Sequence, residues 1–310
     1  KSLPESLLRV EKLANRRLKA FYDLDILNEK LLDQIFNEWE QKRKIDVVMH
    51  FAGVKAVGES VKKPLKYYNN NVSGTIKLLE AMTKYNVLKF VFSSSATVYG
   101  DPEYLPLDEN HPTGRTCTNA YAKSKYMIEE ILKDLCHSDP RWSVISLRYF
   151  NPVGAHSSGE IGEDPQDIPN NLMPFISQVA VGKRPLLQVY GNDFDTKDGT
   201  GVRDYIHIED LAIGHVMIAD KVVKDSSFKG WNVFNLGTGQ GYSVLDVVDA
   251  FEKASGVKIP YKIVGRRPGD IASSYTDANL AKQKFGWTAK KTLHDMCASS
   301  WNWQSKNPNG

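Results

Sequence analysis

At 310 residues, and with roughly 150 residues per domain as a prior, the chain has room for two domains or one large α/β domain with a lobe. A hydrophobic fraction of 41% and a charged fraction of 25% exclude a disordered polyampholyte, a coiled coil and a collagen-like repeat. Forty basic residues against thirty-seven acidic leave +3, so no electrostatic footprint for nucleic acid or an anionic membrane stands out.

Lys1 is not an initiator, and Ser2-x-x-Glu5 forms a capping box ahead of the apolar positions Leu7, Leu8, Val10 and Leu13. The chain is therefore expected to open inside a fold, on a helix, with something preceding it. Ala20–Leu24 reads as a short strand and Glu29–Lys42 as an amphipathic helix. Ile45–Phe51 is a continuous apolar run, the mark of a strand buried on both faces. A helix over Pro64–Tyr85, a buried strand over Phe90–Ser94, a helix over Asn119–Cys136 and a strand over Trp142–Tyr149 follow. This βαβα rhythm predicts a Rossmann-type, doubly wound parallel sheet with helices on both faces.

After Asn151 the rhythm changes. Residues 151–205 are rich in Gly, Pro, Asn and Asp, with one helix near Leu172–Val181. A helix over Ile208–Val223, strands at Asn232–Leu236 and Tyr261–Val264, a helix over Val244–Ser255 and two C-terminal helices complete the pattern. Two lobes are expected: a dinucleotide-binding half over residues 1–150 and a loop-rich, ligand-binding α/β half over 151–310. Residues 204–238 are expected to return to the first half.

The longest apolar runs fall far short of the roughly 20 residues of a membrane-spanning helix, and the opening carries no signal-peptide pattern. Cys117, Cys136 and Cys297 are odd in number and widely spaced, which fits reduced thiols in the cytoplasm or simply small apolar fillers. No Cys/His spacing suggests a metal.

The sharpest constellation is Tyr121-x-x-x-Lys125, with Ser93-Ser94-Ser95-Ala96-Thr97 at a strand end before it. Four apart on a helix, Tyr121 and Lys125 share a face. A phenol titrates near 10 unperturbed, so it needs a neighbouring cation to act as a base near neutrality. Lys125 is such a cation, a bound nicotinamide ring would be another, and Ser95 or Thr97 can share the proton with a substrate oxygen. The same spacing also describes an exposed helical tyrosine and lysine. Gly237-Thr-Gly239-Gln-Gly241 imitates a dinucleotide turn but reads as a structural one.

Seen together, HFAGVKAVGES (50–60), FSSSATVYG (92–100), YAKSK (121–125), RYFNPVGAH (148–156), IPNNLMPF (168–175), the segment 189–212, NLGTGQGYSV (235–244) and RRPGD (266–270) carry a resemblance. The chain resembles the extended branch of the short-chain dehydrogenase/reductase superfamily and, within it, the UDP-glucose (UDP-galactose) 4-epimerase family. The resemblance runs to about Trp303. It departs at the start, where that family has a strand, a glycine-rich turn and an acidic ribose ligand that this sequence lacks. Those residues are expected to precede the sequence; the competing reading is a truncated product unable to hold NAD.

The resemblance implies NAD as cofactor, with Asp25 and Ile26 at the adenine, and Phe51, Ala52, Gly53 and Lys55 along the cofactor. Asn71 would organise the site from a neighbouring helix, Tyr149 would lie beside the nicotinamide, and Lys125 would also hold the nicotinamide ribose. It implies a UDP-sugar substrate met by Ser95, Ala96, Thr97, Tyr121, Asn151, Asn170, Asn171, Leu172, Gln188, Val189, Tyr190 and Asp270. Arg203 and Arg267 would clamp its diphosphate, and Ser274 would lie beside the C2 substituent of the sugar, small enough to admit an N-acetyl group. The implied reaction is 4-epimerisation through a 4-keto sugar, by a cytoplasmic homodimer with no nucleic-acid or membrane partner. A nucleotide-sugar 4,6-dehydratase would carry an Asp-Glu pair where this chain has Ala96-Thr97. A UDP-glucuronate epimerase or decarboxylase stays open, as does a silent dinucleotide-binding regulator.

Overall fold

The computed structural model describes residues 4–165, 168–267 and 269–309. Its elements are α1 (Glu5–Ala14), α2 (Glu29–Lys42), β1 (Val48–His50), α3 (Val57–Lys62), α4 (Pro64–Tyr67), α5 (Gly74–Lys84), β2 (Lys89–Ser95) and α6 (Ala120–Ser138). Then come β3 (Ser143–Tyr149), β4 (Asn151–Val153), α7 (Leu172–Ala180), β5 (Leu187–Tyr190), β6 (Val202–His207), α8 (Ile208–Lys224), β7 (Gly230–Leu236) and β8 (Gly241–Ser243). The last are α9 (Val244–Ser255), β9 (Tyr261–Val264), β10 (Ser273–Ser274), α10 (Asn279–Phe285) and α11 (Leu293–Lys306).

β1, β2, β3 and β7 form a parallel sheet in that order. Side chains alternate across it, as a strand's two-residue period requires. Phe90, Phe92 and Val144 face a core with α2, α5 and α6, built on Leu32, Met82, Ile128 and Leu132. Val91, Ile145, Leu147 and Phe234 face the opposite core, with Leu211, Ile218 and Val222 of α8 and Trp287. Emptying such a position, as in Phe92→Ala, costs about 3–5 kcal/mol. A second set of strands orders β10, β6 and β4, with β8 antiparallel to β6, while β5 pairs with β9. Their core joins α7, α9 and α11 through Met173, Ile176, Val247, Phe251 and Met296. The chain thus leaves the first sheet after β3, builds β4 to β6, and re-enters it at β7.

Several sequence expectations need correction. Ala20–Leu24 forms no strand; a strand needs a hydrogen-bonding neighbour, and none lies along it among the described residues. Instead Tyr22 donates its hydroxyl hydrogen bond to Glu38 and accepts one from Trp39, both on α2. The run Ile45–Phe51 is not buried on both faces: β1 covers three residues, Met49 is 41% exposed and Phe51 55%. Among the described residues β1 ends the sheet order. The helix expected over Pro64–Tyr85 is interrupted at Tyr68–Ser73 by a π-helical stretch that widens the turn around Asn71. Residues 151–205 hold β4, β5 and most of β6 besides their helix. Ser2, of the expected capping box, and Pro268 lie outside the described residues.

Candidate active site

The carboxyl ends of the parallel strands place the site, as open α/β sheets do generally. β2 ends in Ser93, Ser94 and Ser95, and a 3-10 turn over Ala96–Tyr99 follows directly. Ser95 caps that turn: its Oγ accepts from Thr97 N at 3.3 Å and from Thr97 Oγ1 at 3.0 Å. α6 starts opposite, where the Asn119 side chain accepts from Ala122 N at 2.9 Å. Tyr121 therefore sits in the first turn, where the helix dipole favours an anion.

Lys125 follows one turn later, 5% exposed, with Nζ donating to the Ser93 carbonyl at 2.6 Å and lying 4.8 Å from the Phe92 ring centre. Burial lowers its ammonium to about 8, against a weaker upward pull from Glu129. Burial pushes the Tyr121 phenol up, and its hydrogen bond with Ser95 opposes that. Tyr149, level with Ser95 across the ladder, shares a hydrogen bond with Ser93 Oγ, and burial raises its phenol to about 12.

On the near side, the turn after β1 exposes Phe51, Ala52 and Gly53. Asn71 fixes it: Oδ1 accepts from Val54 N at 2.8 Å, and Nδ2 donates to Val54 O and to Ser124 Oγ, each at 3.0 Å. A Cβ at Gly53 would press on Asn71 Oδ1 at 3.1 Å, so glycine lets that turn sit close. Asp25 is exposed, its carboxylate accepting from Leu27 N, while Ile26 packs against Gly74. The Phe51 ring lies 4.9 Å from that of His215, which in turn lies 5.6 Å from the Tyr149 ring. The Gly237–Gly241 turn does not offer a phosphate seat: the buried Asp204 carboxylate accepts from Thr238 N and Gly239 N, both at 2.9 Å.

The second half gathers another cluster. The Arg267 guanidinium lies 4.7 Å from the Tyr190 ring centre and pairs with Asp270 at 2.9 Å, and Tyr190 donates to Gln188 at 2.9 Å. Arg203 donates to its neighbour's carbonyl, and among the described residues no carboxylate lies within ion-pair distance. Burial is the main cause holding its guanidinium below the ordinary range, with Arg267 adding in the same direction. Ser274 pairs with Arg203 across β10 and β6. Asn151 is exposed on β4, and Asn170, Asn171 and Leu172 lead into α7. Glu163 bridges the halves, 3.5 Å from both Lys55 Nζ and Asn171 Nδ2. Val189 stands apart: its side chain is in the core, so only its backbone can meet a ligand. A cavity of about 390 Å³ beside Thr238, Lys282 and Trp287 holds none of these residues.

Sequence reasoning missed Glu129, Arg148, Tyr99 and Asn235, which join below Lys125 in one buried polar chain. The helical spacing of Glu129, four beyond Lys125 and eight beyond Tyr121, was the available signal.

A family model described as GDP-mannose 4,6 dehydratase matches residues 4–300. A UDP-glucose 4-epimerase of Drosophila melanogaster is 59% identical over 308 residues, 99% of this chain and 86% of that protein. A UDP-glucose 4-epimerase of Homo sapiens is 57% identical over 309 residues, 100% of this chain and 86% of that one. The solved structure of UDP-glucose 4-epimerase from Bifidobacterium longum in complex with NAD+ and UDP superposes with a TM-score of 0.93 at 55% identity. That match covers 100% of this chain and 89% of the other.

Proposed function

This chain belongs to the GDP-mannose 4,6 dehydratase family and, within it, to the UDP-glucose 4-epimerases; from that premise we propose that Tyr121, Lys125, Ser95 and Thr97 are its catalytic groups. The activity is NAD-dependent 4-epimerisation between UDP-galactose and UDP-glucose, an isomerase reaction. The observation that carries the residue assignment is Tyr121 and Lys125 one turn apart on α6, with Lys125 buried and its Nζ donating at 2.6 Å to the strand that ends in Ser95.

Tyr121 takes the proton of the sugar 4-hydroxyl and, once the 4-keto sugar has turned over, returns a proton to its 4-oxygen. Ser95 and Thr97 share that proton and hold the oxygen in place. Lys125, as an ammonium, favours the phenolate. When bound, NAD supplies a hydride acceptor and donor for C4 and a cationic ring that favours the phenolate further. Asp25, Ile26, Phe51, Ala52, Gly53, Lys55, Asn71, Lys125 and Tyr149 are the residues that would hold it. Arg203 and Arg267 face the diphosphate: an under-partnered guanidinium gains most from an arriving anion, and the planar fork suits phosphate. Gln188 and Tyr190 take the uracil and Asp270 the ribose. Asn151, Asn170, Asn171, Leu172 and the backbone of Val189 complete the pocket. Anchoring through UDP leaves the 4-keto sugar free to turn over. With Ala96-Thr97 after Ser95, no carboxylate pair stands there for a dehydratase's loss of water.

The first sheet with β7 forms the cofactor half and β4 to β6 with β8 to β10 the UDP-sugar half. Ser274, 9% exposed and beside Arg203, supports a C2 pocket that admits N-acetylated sugars. Leu65, 80% exposed, with Val61 and Met127, gives α3, α4 and α6 an apolar face suited to a homodimer. Among the described residues no helix is long and apolar enough to cross a membrane. Three buried free thiols support a reducing, cytoplasmic location. Conversion of UDP-galactose to UDP-glucose by the full-length protein tests the activity.

A further inference from the structure

We propose that Glu129 and Arg148 are positioning residues, a buried bracket that holds the Tyr121–Lys125 helix in register with the Ser95–Thr97 turn. The inference rests on the epimerase reading and deepens it. Tyr121, Lys125 and Glu129 descend one face of α6 in steps of four. Glu129 is fully buried and Arg148 is 2% exposed. Glu129 Oε1 accepts from Ser94 Oγ at 2.5 Å and from Arg148 Nε at 3.0 Å, and Oε2 accepts from Arg148 Nη2 at 2.6 Å. Arg148 Nη1 then donates to the Tyr99 hydroxyl at 3.2 Å, and its guanidinium lies 4.9 Å from the Tyr99 ring centre. Tyr99 closes the 3-10 turn that carries Thr97, and its hydroxyl donates to Asn235 Oδ1 at 2.6 Å. Asn235 Nδ2 ends the chain on the Leu107 carbonyl at 3.0 Å.

The bracket therefore ties α6, β2, β3, the 3-10 turn and β7 together directly beneath the proton-transfer groups. An apolar filling would serve stability as well or better, because a buried ion pair seldom repays its desolvation. What the pair adds is geometry: a fork that fixes two elements bearing the two ends of one proton path. It also adds charge. Lys125 is faced by Tyr121 and Glu129 on its own helix, His50 from β1, the Ser93 carbonyl and Phe92 from β2, and Tyr149 and, through Glu129, Arg148 from β3. Of these, Glu129 is the group whose charge holds the ammonium up.

The test compares full-length wild type with Glu129→Gln in kcat, KM, the pH profile of kcat, and the NMR titration of an isotope-labelled Lys125 amine. Removing the carboxylate leaves Arg148 unpaired, which adds to the loss of ammonium stabilisation. The expected result is kcat lower by roughly tenfold or more with KM within about twofold. The alkaline limb of the profile and the amine titration both move to lower pH. The paired variant Glu129→Gln/Arg148→Met is expected to recover thermal stability but not kcat. A folded Glu129→Gln with kcat within about twofold of wild type and an unmoved Lys125 titration overturns the proposal. If that variant does not fold, Tyr99→Phe, which removes one hydroxyl, decides: a kcat loss of about threefold or more at unchanged KM supports it, and unchanged kcat overturns it. Wild type unable to epimerise UDP-galactose would sink the epimerase reading instead, and the Lys125 titration would still decide whether Glu129 sets the lysine.

Discussion

Lys125 Nζ donates to the carbonyl of Ser93 at 2.6 Å, so the cation that assists Tyr121 is fixed by the same strand that delivers Ser95. Neither that bond nor the Ser95–Thr97 contacts involve the Tyr121 side chain, so a change at Tyr121 can be made without loosening the other two.

Tyr121→Phe is expected to fold as wild type and to lose about 10²–10⁴ in epimerisation rate, the usual cost of removing a general base. Initial rates and thermal unfolding of the two proteins check this. Activity within a few-fold of wild type would remove Tyr121 from its role.

His50 gives a pH prediction for stability. It is 4% exposed and bonded to Thr75 Oγ1 at 2.9 Å, and burial, aided by the Lys125 charge, lowers it to about 3 from the ordinary 6.5. Between those values the unfolded chain binds the extra proton, so stability is lost as pH falls through that window. The expected contribution is about 1.4 kcal/mol per pH unit. Urea unfolding of wild type and His50→Gln at a series of pH values should give a shallower acid slope in the variant. Equal slopes would contradict the assignment.

Much of the fold and part of the site are legible in the sequence, for physical reasons. Buried parallel strands read as apolar runs, and the spacing of Tyr121 and Lys125 is a helical turn. Arg148 and Glu129, 19 residues apart, look like surface charges, because only the packing of α6 on β3 makes them partners. Ala20–Leu24 has strand composition but pairs with no strand among the described residues, and composition does not specify a partner strand. The π-helical turn at Asn71 and the two-residue β10 carry no periodic signal at all.

Ser274 concerns substrate range. The native protein is expected to interconvert UDP-N-acetylglucosamine and UDP-N-acetylgalactosamine, and Ser274→Tyr to lose that while retaining the unacetylated pair. A tyrosine filling the C2 pocket would cost an N-acetyl group about 1–3 kcal/mol or more of strain. Steady-state rates on both sugar pairs decide it. Native protein inactive on the acetylated pair would place the gate at another residue.

The exposed apolar face of α3, α4 and α6 predicts a dimer at micromolar concentration, with Leu65→Glu shifting the population toward monomer. Sedimentation velocity on both proteins reads this out. Monomeric wild type would rule out the interface.

An epimerase that passes its NAD through a closed cycle and returns it unchanged needs no added oxidant. Full-length protein is incubated with UDP-galactose and no added NAD, and UDP-glucose is followed with time. Many turnovers per protein molecule are expected, approaching one equilibrium mixture from either sugar. No UDP-glucose, or product only in proportion to added NAD, would contradict it.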